Sequence, residues 1–447
     1  MTQIKTTRFI PTTRREFVNA GGAILAAAGA ASRALSAAST EPLALSGGKK
    51  AVTVPAAKIT AMTKWPRYGA AEKKVLHDLI DENKYYSELP LFEKEWCAFT
   101  GSAFAKAHMN GSSALTSMYF ALDLPAGSEI MVPSYTFFST CLAMRFLGYV
   151  PIFIDIDPKT ACFDLEDAKR KLTARTKAMV VMHSWGLPCE MDHISAFAKE
   201  KGIILLEDSA HAHGASMQGK KTGTWGVMAA FSFQASKPMP CVEGGMGMYQ
   251  TREYYERAAA FGHYEDPDKF PKESPVRRYS GTGFGMKLRM HPFAAAIGRQ
   301  QLRGLAERNT LVKANIRNLN DRLVELPGLS EPRCRPDQDR VYYNGNMLIL
   351  DEKKAGFSRG ALIKALVAEG VRATFWDYPQ QHTLAIYAES KWWHHPPVIP
   401  DALPGTLEVN RTHIFLPNLH GDAQEVNSQY VNAFEKVWAH KRDLAAL

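Results

Sequence analysis

The stretch KAMVVMHSWGLPCEMDHISAFAKEKGIILLEDSAHAHGA, residues 177–215, decides the fold. Its two apolar runs, Lys177–His183 and Ile203–Ser209, show no polar alternation, the pattern of strands buried on both faces. Between them Asp192–Gly202 is amphipathic at helical spacing, with Asp192 expected as its N-cap. Strand, helix, strand in that order makes a parallel βαβ unit. The same texture runs outward through Glu129–Ser134, Val150–Asp157 and Val227–Gln234, with an amphipathic segment at Phe137–Leu147. The expected fold class is therefore α/β with a mostly parallel sheet. Ligands of such sheets sit beyond the carboxyl ends of the strands, where Ser134, His183, Asp208 and Ser232 fall.

After about Pro292 the texture changes. Residues 292–326 read as one long helix or two, ending at Pro327-Gly328. A short strand (Asn346–Asp351), a helix (Arg359–Glu369), a Trp/His/Pro-rich loop (Ser390–Pro400) and a terminal helix (Gln424–Lys441) follow. The expected organisation is a large domain over 65–291, a smaller α/β domain over 292–447, which the aromatic loop packs on, and an arm over 39–64. Residues 1–38 fall outside the fold. Arg14-Arg15 followed by Phe17, an uncharged Ala/Gly-rich run and the small residues Ser36-Ala37-Ala38 make an export signal of the twin-arginine type. The expected location is the periplasm, or the cytoplasm should the signal be inactive. That run is too short for a permanent membrane span, and no later stretch reaches the ~20 apolar residues a span needs.

Composition narrows the function classes. With 46% hydrophobic and 22% charged residues, disorder is excluded. Six cysteines without a CxxC pair exclude a disulfide-dense mini-domain and a zinc ribbon, and no metal is expected. The net charge of +9 raises nucleic acid as a partner. However, Lys5, Arg8, Arg14, Arg15 and Arg33 against Glu16 lie in the signal, leaving +5 in scattered runs, so no nucleic-acid partner is expected.

Four segments carry chemistry. Phe231-Ser-Phe-Gln-Ala-Ser-Lys237, followed by Glu243-Gly244-Gly245, sets a lysine just after a buried strand, where partial desolvation suits it to form a Schiff base. Asp208 closes the strand Ile203–Leu206 and reads equally as a cap of a helix starting at Ser209 or as the partner of a buried cation such as a protonated pyridine nitrogen. Asn110-Gly-Ser112-Ser113 opens an apolar helix and offers free N–H groups to a phosphate, or is an ordinary N-cap. Phe137, after the strand end at Pro133-Ser134, is placed to stack on a planar ring or to pack in the core.

Taken together, NGSSAL, VPSYTF, EDSAHAHGA, FSFQASK with EGG, and KLRMHPFAAAIGRQQL resemble the DegT/DnrJ/StrS-type sugar aminotransferases. That family depends on pyridoxal 5'-phosphate and has the aspartate-aminotransferase fold, type I. The resemblance runs from about Trp65 to the C-terminus. It implies a large domain with a mostly parallel mixed sheet, a smaller C-terminal α/β domain and a homodimer with sites between subunits. It implies that Lys237 carries the cofactor as an internal aldimine, Asp208 contacts the ring nitrogen, Phe137 stacks on the ring and His211 lies near the 3-hydroxyl. Ser112, Ser113 and Ser232 would bind phosphate. Where many members have Asn in Gly-Tyr-Asn-Tyr-Arg, this chain has Lys287 in Gly285-Met-Lys287-Leu-Arg289, which leaves the neighbouring subunit's phosphate contact open.

The expected reaction is transfer of an amino group from glutamate or glutamine to a keto-sugar or keto-cyclitol. Relatives that dehydrate deoxysugars carry His in place of the Schiff-base lysine, so Lys237 favours transamination. A binding protein without turnover is the alternative of a different class. Gly214–Lys221 nearly matches a P-loop but lacks the following hydroxyl and reads as a hairpin turn. Gly281-Thr-Gly283-Phe-Gly285 follows no strand and reads as a loop. His183 reads as a satisfied core histidine sooner than a substrate contact.

Overall fold

A computed structural model describes residues 41–446, so the signal read in residues 1–38 lies outside the described residues. Seven strands form the main sheet: β1 (Phe104–His108), β2 (Glu129–Pro133), β3 (Val150–Ile154), β4 (Thr176–Met182), β5 (Ile204–Asp208), β6 (Met228–Ser232) and β7 (Gly245–Tyr249). Their order is β1-β7-β6-β5-β4-β2-β3. The four pairs from β6 to β3 are parallel, and β7 runs antiparallel to both its neighbours. The five unbroken apolar runs of the sequence are β2 to β6, within a residue or two at most boundaries.

The absence of polar alternation has its cause in the layers. Along β2, β4 and β5, Ile130, Val132, Val180 and Leu206 face a cluster with helix Gly111–Leu122. Met131, Met179, Val181 and Leu205 face a second cluster with helix Met191–Lys201. Every position is thus covered on one side or the other. β1 and β7 gave no signal because they are short of β-branched residues. Gly245 and Gly247 are required in β7, where an added Cβ would lie 2.3 Å from the Asn110 carbonyl and 2.1 Å from the Tyr249 hydroxyl. Lys106, mid-strand in β1, is buried between Glu93 (3.0 Å) and Asp266 (2.6 Å).

Helices are labelled α1 (Glu88–Thr100), α2 (Gly111–Leu122), α3 (Met191–Lys201), α4 (Arg252–Ala260), α5 (Pro292–Arg303), α6 (Leu305–Leu323), α7 (Arg359–Ala368) and α8 (Gln424–Ala439). The stretch 292–326 is two helices meeting at Gly304. Ala294, Ala295, Ile297 and Leu302 of α5 pack with Phe92 and Trp96 against the large sheet. The large domain therefore extends through Arg303, twelve residues past the boundary expected from sequence texture. The small domain follows, with an antiparallel sheet of β8 (Leu329–Ser330), β9 (Asn346–Leu350) and β10 (His413–Leu416) backed by α6, α7 and α8.

Several local expectations need correction. Asp192 is not an N-cap: it lies in the first turn of α3, and its carboxylate pairs with Arg335 at 3.0 Å. The aromatic loop packs on the large domain instead of the small one. Trp393 is buried and stacks on Tyr387 (5.3 Å) within the cluster that holds α2. The near P-loop is a hairpin, Ser216–Met217 paired with Lys220–Lys221, turned by Gln218 and Gly219 at φ 54° and 74°. All six cysteines are free thiols.

The arm is part of the small domain's core. Leu43, Val52, Val54, Ile59 and Met62 pack with Leu362, Leu366 and Phe434. Glu369, fully buried, fastens the arm by accepting hydrogen bonds from Ala44 N (2.7 Å), Ala51 N (2.9 Å) and the Lys436 ammonium (3.0 Å). Replacing Glu369 with Ala leaves the Lys436 charge buried without its partner. The expected cost is about 3–5 kcal/mol of stability, read from urea unfolding midpoints of the variant and wild type.

Candidate active site

The carboxyl ends of the parallel strands open into a cavity of about 490 Å³. Asp208, the last residue of β5, is 4% exposed. Its carboxylate accepts from Thr140 Oγ1 (2.7 Å) and from the Ala210 N–H (3.1 Å). No helix begins at Ser209, so the capping alternative falls away. No cation lies in ion-pair range of Asp208 among the described residues, which leaves the carboxylate available to a cationic group entering the cavity.

Lys237 stands at the end of a tight turn after β6. Gln234 builds this turn, its Oε1 accepting from Ser236 N (2.8 Å) and Ser236 Oγ (2.7 Å), while the Lys237 N–H bonds the Gln234 carbonyl (2.8 Å). Trp65 Nε1 donates to the Lys237 carbonyl (3.2 Å), fixing the backbone from the far side. The half-buried Lys237 side chain lines the cavity and forms no ion pair among the described residues. Its ammonium lies over the ring of Tyr343, 4.3 Å from the centroid.

His211 is buried and stacked on Tyr343, with ring centroids 4.0 Å apart. Its Nδ1 has no hydrogen-bond partner among the described residues. Burial, reinforced by the Lys237 charge, holds this imidazole well below its ordinary pKa, so it is neutral. Phe137 is 53% exposed on the cavity wall beside Phe138. At the other end, Asn110 caps α2, its Oδ1 accepting from Ser113 N (2.9 Å). The N–H groups of Gly111 and Ser112 have no intrahelical partner and sit at the positive end of the helix. The fit there is close: a Cβ on Gly111 would lie 2.7 Å from Ser232 Cβ.

The structure thus gathers Lys237, Asp208, His211, Phe137, Ser112 and Ser232 around one cavity. Ser113 is not in its lining. The Ser113 hydroxyl is turned back into the capping box, accepting from Asn110 N (3.1 Å) and donating to the Asn110 carbonyl (2.9 Å). Lys287 is exposed on the 281–289 loop and does not line this cavity either. His183 is a core residue. Its Nδ1 accepts from Cys189 N (3.0 Å), so Nε2 carries the proton and donates to Glu207 (2.9 Å). Sequence reasoning missed Thr140, Tyr343 and Tyr378 and gave no role to Glu243; all four also line the cavity. Only Tyr343 had a signal, the turn dipeptide Asn344-Gly345 that follows it.

The residues fit pyridoxal 5'-phosphate. An unpaired buried carboxylate suits the ring nitrogen, the unpartnered His211 Nδ1 suits the ring oxygen, free N–H groups at the α2 terminus suit the phosphate, and Lys237 suits the aldehyde. A lysine, an aspartate and a phosphate cradle so placed at the strand ends define a pyridoxal-phosphate-dependent transferase of fold type I. Residues 67–434 match the DegT/DnrJ/EryC1/StrS aminotransferase family, and the chain belongs to it.

Among its relatives, 3-amino-5-hydroxybenzoate synthase of Amycolatopsis mediterranei is 34% identical over 361 residues, covering 74% of this chain and 91% of the relative. L-glutamine:scyllo-inosose aminotransferase of Streptomyces griseus is 28% identical over 342 residues, covering 73% and 78%. The solved aminotransferase from Psychrobacter cryohalolentis superposes with a TM-score of 0.75 at 26% identity, covering 85% of this chain and 99% of that one. The protein is a pyridoxal-phosphate-dependent aminotransferase of the sugar aminotransferase family.

Neutral buried histidines give the fold a pH dependence. Burial pushes His108 and His213 down to about 3, and His413 and His420 down to about 4. The unfolded chain takes up these protons near pH 6.5 and the folded chain does not. Stability is therefore fully present above that pH and falls below it, by up to ~1.4 kcal/mol per pH unit for each histidine. Urea midpoints taken from pH 7.5 down to 4.5 are expected to fall progressively; a flat profile would contradict the burial of neutral imidazoles.

Proposed function

We propose that this aminotransferase moves an amino group from glutamate or glutamine to the carbonyl of a keto-sugar or keto-cyclitol. The observation that carries the reading is Lys237, without a carboxylate partner among the described residues, in one cavity with Asp208. Bound pyridoxal phosphate supplies a sink for the electrons left when a C–H bond beside an amino group breaks. The chain's own groups do the rest. Asp208 holds a positive charge at the ring nitrogen, and the freed Lys237 amine is the base that takes and returns the proton at the reacting carbon. His211, being neutral, meets the ring oxygen without adding charge. Phe137, Phe138, Tyr343 and Tyr378 form the aromatic wall of the cavity.

The donor becomes an oxo-acid and the acceptor's keto group becomes an amine, so the nitrogen balances across two half-reactions. The relative named L-glutamine:scyllo-inosose aminotransferase supports a cyclitol acceptor and glutamine as donor, and the hydroxybenzoate synthase supports a six-membered ring. Retention of lysine at 237 supports transfer over dehydration.

The expected assembly is a homodimer. Met109, Val242, Phe284 and Met286 are large apolar side chains left 38–52% exposed; Phe284 and Met286 lie on the Lys287 loop, and Met109 N donates to the Leu288 carbonyl beside it (2.8 Å). Lys287 would then serve the partner's phosphate. The expected location is the periplasm, supported by the twin-arginine pattern at Arg14-Arg15.

The following measurements test these statements. Lys237→Ala is expected to lose the absorbance of the covalently held cofactor and at least 10³-fold in turnover; an unchanged spectrum would overturn the assignment. Single-turnover mixing with glutamate and glutamine is expected to bleach the band in the wild type. A panel of keto-sugars and keto-cyclitols then restores it with the true acceptor class, while no response to any ring ketone removes that class. Sedimentation and fractionation of the native protein report assembly and location.

A further inference from the structure

A residue from the small domain reaches the reacting amine. Tyr343 lies just before β9, and the two residues after it hold left-handed conformations, Asn344 at φ 60° and Gly345 at φ 139°. Gly345 is needed there: a Cβ would lie 2.5 Å from the Leu416 carbonyl. This turn swings the Tyr343 ring across the domain boundary, where four contacts fix it. Its N–H bonds the Trp185 carbonyl (3.4 Å), its ring lies parallel to Trp185 (5.9 Å, 16°), His211 stacks on it (4.0 Å), and its hydroxyl meets Ser236 Oγ (3.1 Å). Held on all sides and 9% exposed, the ring is a rigid surface, and the Lys237 ammonium sits over it at 4.3 Å.

Such a contact favours a cation over a neutral amine, because the electron-rich face attracts positive charge. It also confines a long, flexible stem, which otherwise has to be ordered at each encounter. Lys237 forms no ion pair among the described residues and the neighbouring His211 is neutral; the carboxylates of Asp208 and Glu243 line the same cavity, but the group in direct contact with the amine is the Tyr343 ring.

We propose that Tyr343 is a positioning residue for Lys237: its ring face holds the lysine nitrogen, stabilises the protonated form, and keeps the freed amine within reach of the reacting carbon. The inference rests on the reading of Lys237 as the cofactor-bearing lysine. It adds a second element, drawn from the other domain, to what controls that nitrogen.

The test reads the charge on the lysine nitrogen directly. In the holoenzyme, the pH at which the bound cofactor's absorbance changes reports protonation of the nitrogen contributed by Lys237. Tyr343→Leu is expected to lower that midpoint by about half a pH unit or more and to slow the single-turnover reaction with glutamate about tenfold. Tyr343→Phe keeps the face and loses only the hydroxyl bond to Ser236, and is expected to hold the midpoint within 0.2 unit. Should the leucine variant not fold, fluorinated phenylalanines at 343 weaken the ring face at nearly constant shape, and the midpoint is expected to fall stepwise with fluorine number. A midpoint that ignores both leucine and fluorination overturns the proposal, as does a phenylalanine variant as displaced as the leucine one. Loss of the absorbance in Lys237→Ala alongside unmoved Tyr343 variants would leave the cofactor assignment standing and this inference refuted.

Discussion

Two consecutive carboxylates at the end of a buried strand govern this structure. Successive residues of a strand face opposite sides of the sheet, so Glu207 and Asp208 must each be satisfied in a different layer. Glu207, with no exposure, accepts from the N–H groups of Gly223, Trp225 and Gly226 and from His183. It thereby pins the segment that leads into β6. Asp208 takes only one hydroxyl and one N–H. One carboxylate is saturated and structural; its neighbour is left short of positive charge in a place where charge is costly to bury. That imbalance suits the cavity to a cationic group. The strand that Glu207 orders is the one whose end presents Lys237.

The two domains share the site unequally. The large domain supplies Asp208, the start of α2 and Lys237. The small domain supplies Tyr343 and Tyr378, side chains that press on the cavity from above the strand ends. Its grip on the large domain is polar as well as aromatic: Asp155, after β3, accepts from Gly405 N, Thr406 N and Thr406 Oγ1. Such a clamp fixes the relative position of the domains and hence the distance from the Tyr343 ring to the Lys237 nitrogen.

How much of this was legible in the sequence depended on which force shaped each element. β2 to β6 were visible because both faces are buried, which forces an unbroken apolar run. β1 and β7 were not, because Lys106 and the glycines of β7 answer to an ion pair and to backbone crowding, neither of which has a period. Asp208 and Ser232 were legible at strand ends, Lys237 and Phe137 as residues that follow them, and Ser112 at the start of an apolar helix, while His211 was placed by the family resemblance alone. Ser113 looked equivalent to Ser112, yet one residue's rotation around a helix turns its hydroxyl into the cap. Tyr343 lies over a hundred residues from Lys237 in sequence, and nothing local announces the contact. The domain boundary was misplaced for a similar reason: α5 reads like α6, and only packing shows that the first belongs to the large sheet.

The arm gives the molecule a property that the catalytic apparatus does not reveal. The stretch matching the family begins at residue 67, while Leu43, Val52, Val54, Ile59 and Met62 already belong to the small domain's core. A chain trimmed to the family boundary would therefore open a hydrophobic trench beside α7 and α8 and strip Glu369 of two of its donors. It would also lose Trp65, whose indole braces the Lys237 carbonyl. For expression and crystallisation the smallest useful fragment is thus set by the arm: truncation upstream of Glu41 leaves these contacts whole, whereas a catalytic core cut at the homology border is expected to be sticky and slow.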